Sequence, residues 1–379
     1  MQALITAPGN TAVVANVPIP EPDSKEIRVK VRAIALNPID ALYVARPADK
    51  PGRVVGSDFA GVIDKVGSQV SKWKVGDRVA GFLQGATSGN TRPGAFAEYA
   101  ILEDDLTIRI PSKVSFEEAA TLPLCSLTAA QALFIRLEIN APFDSPFKFD
   151  TPSDSQAILV YSGATSIGLF AISLLQLLRT AYGRSYRVYS TASPKHHEKL
   201  LSLGVDAVFD YKSPTWVDDV RKASGGITHA FDCISEDSST ALISQTFVPA
   251  GGKIAVVRKS SWSTEGIHDG VVPIYSAVWW GLGHEIVYNG DIMPASPSWR
   301  AFSVDFYKFL SEGSQQNSGS FPIPPIPIRI IPGGLQAVVD DAFPLLGSEN
   351  VIDRALTQKQ NSKEWLKPIS GEKLVYRLG

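Results

Sequence analysis

Two short stretches of this 379-residue chain have the residue types and spacing to hold a large anionic ligand. The first is ILVYSGATSIG, residues 158–168. An apolar run that reads as a buried strand enters a turn of small residues, and an apolar helical run follows. In such a strand–turn–helix, backbone N–H groups and the helix N-terminus face a pyrophosphate. Gly163, Ala164, Thr165, Ser166 and Ile167 form the candidate cradle, and a large side chain at Gly163, Ala164 or Ser166 would block the approach. The stretch departs from G-x-G-x-x-G, with Ser162 and Ala164 at the first glycine-like positions. Taken alone it also fits an ordinary strand–helix turn of any α/β protein.

The second stretch is TASPKHH, residues 191–197, at the end of the next expected strand. Sites for the unphosphorylated dinucleotide carry Asp or Glu there, to hold a ribose hydroxyl. Here no carboxylate appears until Glu198. Ser193 offers a hydroxyl to a phosphate, Lys195 offers a cation, and His196 or His197 adds partial charge. This reads as a 2′-phosphate pocket, hence NADPH. The competing reading is a helix N-cap at Ser193 with Pro194 at N1 and a solvated Lys195. The two are compatible, because a capping serine can also face a phosphate. Tyr211 is placed to close over that phosphate, although a lone Tyr more often packs.

These stretches need a parallel sheet beneath them. Expected strands at 157–161, 187–191, 207–210, 229–234 and 253–257 alternate with expected helices at 167–179, 195–202 and 215–222. Short strands alternating with helices mean a doubly wound α/β sheet. The segment before it differs. Alternation over 26–36, then glycine-punctuated apolar runs, argues for a small β-barrel. Ser115 and Glu118 are spaced as a capping box. Residues 141–155, with three prolines, read as a surface loop, 313–319 as flexible, 322–327 as stiff, and the C-terminal SGEKLVYRLG as a strand returning to the first domain.

Length predicts two domains, one of them discontinuous. The net charge of -2 gives no electrostatic case for nucleic acid or an anionic membrane. The N-terminus lacks the basic and apolar regions of a secretory signal, and no run approaches the ~18 apolar residues of a membrane span. Two cysteines, Cys125 and Cys233, make no disulfide framework, so a reducing, cytoplasmic setting is expected.

VVGSDFAGVIDKVG, WKVGDRVAGF, GAFAEYA, SFEEAATLPLCSLTAAQAL, ILVYSGATSIG and SGEKLVYRLG follow one another in an order that resembles the medium-chain dehydrogenase/reductases. The likeness is to their zinc-free quinone oxidoreductase and enoyl reductase branch. The proline-bearing 141–155 segment resembles fungal trans-acting enoyl reductases, which serve polyketide synthases lacking a working reductase domain. The resemblance implies a GroES-like β-barrel domain over 1–125 and 323–379. Between them it implies a Rossmann NADP-binding domain over 126–322, with 141–155 as a surface insertion and an active site in the interdomain cleft. Zinc relatives use Cys, His and Glu where this chain has Asn37 and Ser57-Asp58, so no catalytic zinc is expected.

Carried over by motif, Asn37, Pro38, Ile39, Asp40 and Thr128 line the nicotinamide half, and Val256, Val257, Ile369 and Ser370 border the cofactor. Leu122, Pro123, Leu124, Cys125, Ser126, Leu127, Thr128 and Ala129 form a substrate wall, to which Tyr275 adds an aromatic. Thr128, Tyr43 and Asn37 are the candidate catalytic residues. The family's lysine after the NP-x-D aspartate is Leu42 here, with Lys50 or Arg53 as substitutes. The implied reaction delivers hydride from NADPH to an activated C=C bond of an enoyl substrate, carried on a synthase acyl carrier domain, by a monomer in preference to a homodimer. A stand-alone quinone or enone reductase is the near rival. A non-catalytic NADPH-binding protein is the rival of another class, kept open by Leu42.

Overall fold

Alternation over the first expected strand folds as the strand Glu26–Ala35, which becomes the spine of a seven-stranded sheet. Asp58–Val66 pairs along it antiparallel, and Arg78–Phe82 and Ile108–Arg109 extend the sheet beyond. Lys373–Arg377 arrives from the other end of the sequence and pairs with the spine, Val375 opposite Ala35. Register shifts at Arg28/Val29 and Val31/Ala33 mark bulges, which bend a sheet toward closure. The structure is a computed structural model. It describes residues 1–88, 92–150, 156–183, 186–259, 261–288, 290–316, 319–347 and 363–379.

Two compact units result: Met1–Leu124 together with Trp279–Gly379, and Cys125–Val278. The return to the first unit therefore comes at Trp279, well before the expected residue 323. Packing explains it. The Trp279 ring stacks on Phe82 with centroids 5.9 Å apart. The helix Pro297–Gln316 then lies on the first unit, where the Tyr307 hydroxyl donates to the Pro123 carbonyl and the Ser311 hydroxyl accepts from the Arg109 N–H. That helix also corrects the flexible reading of 313–319. Residues 313–316 are its last turn, and 317–318 lie outside the described residues.

The second unit is a six-stranded parallel sheet. Its order is Ala207–Phe209, Tyr186–Thr191, Gln156–Tyr161, His229–Asp232, Gly252–Val256, Val271–Tyr275. Numbered along the chain that order runs 3-2-1-4-5-6, the arrangement of dinucleotide folds, which bind ligands outside the strand carboxyl ends where the order reverses. The reversal lies between Gln156–Tyr161 and His229–Asp232. Strands buried on both faces need continuous apolar runs, and 157–160 are buried without exception. The helix Ser166–Tyr182 ends at Gly183, whose φ of 62° suits a left-handed cap.

Residues 141–150 carry no regular structure, as expected of a loop, and the rest of that stretch, 151–155, lies outside the described residues. Asn140 pins the loop by exchanging two hydrogen bonds with the Phe149 main chain, and Phe143 packs edge-on against Phe134. Helical residues Phe116–Arg136 are long and apolar enough by composition to span a membrane, yet 83% of their 18-residue apolar window is buried inside the protein, as in a core helix.

Candidate active site

In the second unit the anion cradle is built by local chain geometry. Gln156–Tyr161 ends in a tight turn in which Ser162 takes a left-handed φ of 61°. Such a conformation is costly for a residue with a side chain and is held by its surroundings. Here the Ser162 N–H donates to Thr191 Oγ1 at 2.9 Å and the Gly163 N–H to the Thr191 carbonyl at 3.0 Å. The Thr165 hydroxyl caps the following helix by accepting from the Gly168 N–H at 3.2 Å, and itself donates to the Ser162 carbonyl. The N–H groups of Ser166 and Ile167 then stand in the first turn, where helix geometry supplies no acceptor.

Two glycines make this possible. A Cβ on Gly163 would overlap Ser190 Oγ, and a Cβ on Gly168 would come within 2.8 Å of the Gly163 Cα and the Ser162 carbonyl oxygen. Open donors, a helix N-terminus and a turn of mostly small residues fit a pyrophosphate.

One strand over, Thr191 leads into Ser193, Pro194, Lys195 and His196. Ser193 occupies the N-cap position and Pro194 N1 of a 3-10 turn, Pro194–His196, but the Ser193 hydroxyl makes no capping bond. The backbone half of the capping alternative is therefore present while the hydroxyl is left for another acceptor. Lys195 is exposed, and Tyr211 lies open at 36% exposure with the Lys212 ammonium 5.8 Å from its ring. Among these residues Tyr211 does not pack into the core. A 2′-phosphate would find a free hydroxyl and a lysine here.

The first unit gathers the other sequence candidates into a closed network. Asn37, Asp40, Ser57, Asp58 and Lys373 are all buried. The Asn37 amide donates to Ser57 Oγ at 2.9 Å and to Asp58 Oδ2 at 2.8 Å. Ser57 donates to Asp40 Oδ1 at 2.9 Å, and the Asn37 N–H donates to Asp40 Oδ2 at 2.8 Å, fixing the start of the helix Pro38–Ala45. Asp58 also accepts from the Leu124 N–H at 2.9 Å and from Lys373 Nζ at 2.6 Å, while Lys373 reaches the Thr121 carbonyl at 3.3 Å. Burial pushes the Asp58 carboxyl up, opposed by the Lys373 charge. Burial also pushes Asp40 up to about 7, with hydrogen bonds from Asn37 and Ser57 opposing.

This corrects the expected role of Asn37. Its amide is spent on Ser57 and Asp58, so it supports the segment from beneath instead of presenting a reactive group. Asp40 does the same. Pro38 is exposed and Ile39 half-buried, so these two are the outward residues of the four. Tyr43 belongs to an aromatic string: its ring lies 5.9 Å from Tyr288, which lies 6.3 Å from Trp279. Arg53 holds the turn at 85–88, donating to the Gly85 and Ser88 carbonyls. Arg53 is thus engaged with that turn, and Lys50, the other substitute considered from sequence, is exposed.

The expected substrate wall shrinks. Leu122, Ser126, Leu127 and Ala129 have no exposed surface, and Pro123, Leu124 and Cys125 are buried, because 123–131 is a core helix. Thr128 alone of 122–129 is partly exposed. Tyr275 is half-buried at the end of its strand. Val256 is buried; Val257 is half-buried and donates its N–H to Ser235 Oγ at 2.9 Å. Ile369 and Ser370 are half-buried in the loop before the last strand. Two residues escaped the sequence reading. Lys373 heads an apolar strand, and Arg136 is the only charged residue between Ala119 and Leu137. A charge at the end of an apolar run was the signal for both.

Residues 23–112 match the alcohol dehydrogenase GroES-like domain. Enoyl reductase cheB of Chaetomium globosum is 33% identical over 89% of this chain and 88% of its own length. Trans-enoyl reductase buaC of Petromyces alliaceus is 33% identical over 99% of this chain and 96% of its own. Among solved structures, CurK enoyl reductase superposes with a TM-score of 0.71 at 18% identity, covering 99% of this chain and 98% of that one. A mycobacterial protein solved with NADPH gives 0.68 at 20% identity, covering both chains fully. At those identities the two structures speak for the fold.

Proposed function

The chain belongs to the family of fungal trans-enoyl reductases, and on that premise we propose that it reduces the activated carbon–carbon double bond of an enoyl thioester with NADPH. The observation that carries the cofactor reading is the turn at 162–168, where Gly163 and Gly168 let strand, turn and helix pack closely enough to set the first-turn N–H groups of the helix at the strand's carboxyl end. The unspent Ser193 hydroxyl beside Lys195 supports the phosphorylated form of the dinucleotide.

The reduced nicotinamide, when bound, supplies a hydride. The chain's own work is to bind and orient. Ser166 and Ile167 N–H groups meet the pyrophosphate, Ser193 and Lys195 the 2′-phosphate. Hydride addition to the β-carbon builds negative charge on the thioester oxygen, which a positioned donor stabilises. Thr128 is the hydroxyl proposed for it, since it alone of its stretch reaches partial exposure. Lewis-acid help from zinc is not part of the proposal. Asn37 and Ser57 are poor zinc ligands, and the Lys373 ammonium already occupies Asp58. A carrier domain as substrate donor, a monomeric state and a reducing, cytoplasmic setting complete the reading.

The test mixes the purified protein with NADPH or NADH and either enoyl chains on an acyl carrier or simple quinones. Loss of the reduced-nicotinamide absorbance with NADPH and the carrier-linked enoyl chain is the expected result. Faster turnover of quinones would replace the carrier reading with the small-molecule reductase. Tight NADPH binding with no turnover of any acceptor would favour a binding protein. Failure to bind either dinucleotide at millimolar concentration would end the proposal.

A further inference from the structure

Arg136 ends a π-helical turn, Ala132–Arg136, in the second unit. Its side chain is 4% exposed. Nη1 donates to the Val256 carbonyl at 2.6 Å and, more weakly, to that of Ile274 at 3.4 Å. The guanidinium carbon lies 5.9 Å from the centre of the Phe231 ring. Nε is buried with no acceptor, and among the described residues no carboxylate forms an ion pair with this side chain. The titratable groups facing it are the Tyr275 hydroxyl and the Cys233 thiol. Burial pushes the guanidinium down to about 10, still far enough above neutrality that the charge persists.

A buried cation without a counter-charge is costly to keep out of water. Its position gives it a use. Val256 is the last residue of its strand, and Phe231 lies in His229–Asp232, the strand at the reversal of sheet order. Arg136 thus charges the floor under the strand carboxyl ends where such folds take their ligand.

We propose that Arg136 makes this site selective for the oxidation state of its cofactor, holding neutral reduced nicotinamide and repelling the cationic oxidised ring. The inference rests on the dinucleotide reading given above. Hydride transfer moves two electrons and one proton from the ring to the acceptor carbon, and the acceptor then takes a second proton. The ring passes from neutral to one positive charge. A fixed cation in a low-dielectric floor opposes that change in the bound product and helps expel it. At an effective dielectric of about 20 and a separation on the order of 10 Å, such a charge is worth about tenfold in relative affinity.

The experiment measures dissociation constants of the full chain for NADPH and NADP⁺ by fluorescence or calorimetry, in wild type, Arg136→Met and Arg136→Lys. Wild type is expected to bind NADPH more tightly. Arg136→Met should shrink the ratio of the two constants by about fivefold or more, mainly by tightening NADP⁺. Arg136→Lys, which keeps the charge, should preserve the ratio. An unchanged ratio in Arg136→Met, or equal loss in both variants, overturns the inference while leaving the dinucleotide reading intact. Wild type binding neither nucleotide overturns both. If circular dichroism shows Arg136→Met unfolded, Arg136→Gln takes its place.

Discussion

Each unit buries a cation, and the two are handled in opposite ways. In the first unit the Lys373 ammonium meets the Asp58 carboxylate at 2.6 Å, and that carboxylate is further held by Asn37 and the Leu124 N–H. In the second unit Arg136, among the described residues, meets carbonyl oxygens and an aromatic face and pairs with no carboxylate. The first arrangement is complete in itself and serves the fold. The second, with the small-residue turn at 162–168, leaves donors and charge uncompensated, as a site built for an anionic guest does. Structural polar groups are satisfied internally, while binding groups stay short of a partner until the ligand arrives.

The strongest way to break this contrast is Lys373→Met. It strands a buried carboxylate, and breaking such a pair costs about 3–5 kcal/mol. Denaturant unfolding should show that loss, and the double variant Asp58→Asn/Lys373→Met should recover most of it. Arg136→Met should cost less than half as much. Equal costs would mean that the two cations do the same job.

Next in size is Gly168→Ala. Its Cβ would sit 2.8 Å from Gly163 Cα and the Ser162 carbonyl, so the turn must shift. A fluorescence titration should find NADPH affinity lowered about tenfold, because the pyrophosphate cradle is made of that backbone. Unchanged affinity would detach the cradle from cofactor binding.

How much of this was legible beforehand divides along the same line. The cradle was readable because its chemistry is local. Ser162, Gly163 and Thr165 act through a turn six or seven residues long, and small residues leave a visible trace in a sequence. The parallel strands were readable because burial on both faces demands unbroken apolar runs. The first unit's network was not. Asn37, Ser57, Asp58 and Lys373 come from three distant segments, and nothing in SGEKLVYRLG says which carboxylate its lysine meets. Asn37 was assigned to chemistry by its family motif, while its neighbours in space were not visible. The second domain boundary failed similarly, since it depends on Trp279 finding Phe82. Thr128 was picked out together with seven neighbours that turn out to be core, because helix burial is not separable by composition in a uniformly apolar run.

The last test of the first unit's network is read in pH and concerns Asp40. Its carboxyl is pushed up to about 7 in the fold from an ordinary value of 3.8. Between those two values the folded chain keeps a proton that the unfolded chain has released. The stabilising contribution is therefore full below about pH 4 and is lost as pH rises through about 7. Asp40→Asn cannot titrate and should flatten the unfolding free energy across that window. A wild-type profile already flat there would show that Asp40 stays ionised.

The partner of Asp58 lies 315 residues further along the chain. On a ribosome adding about 5–20 residues per second, Asp58 waits for most of translation before Lys373 emerges. The contiguous unit Cys125–Val278 has all of its own contacts earlier. The nascent polypeptide should therefore settle from the middle outward, and truncation just before residue 373 should leave a nucleotide-binding middle flanked by a barrel that cannot mature.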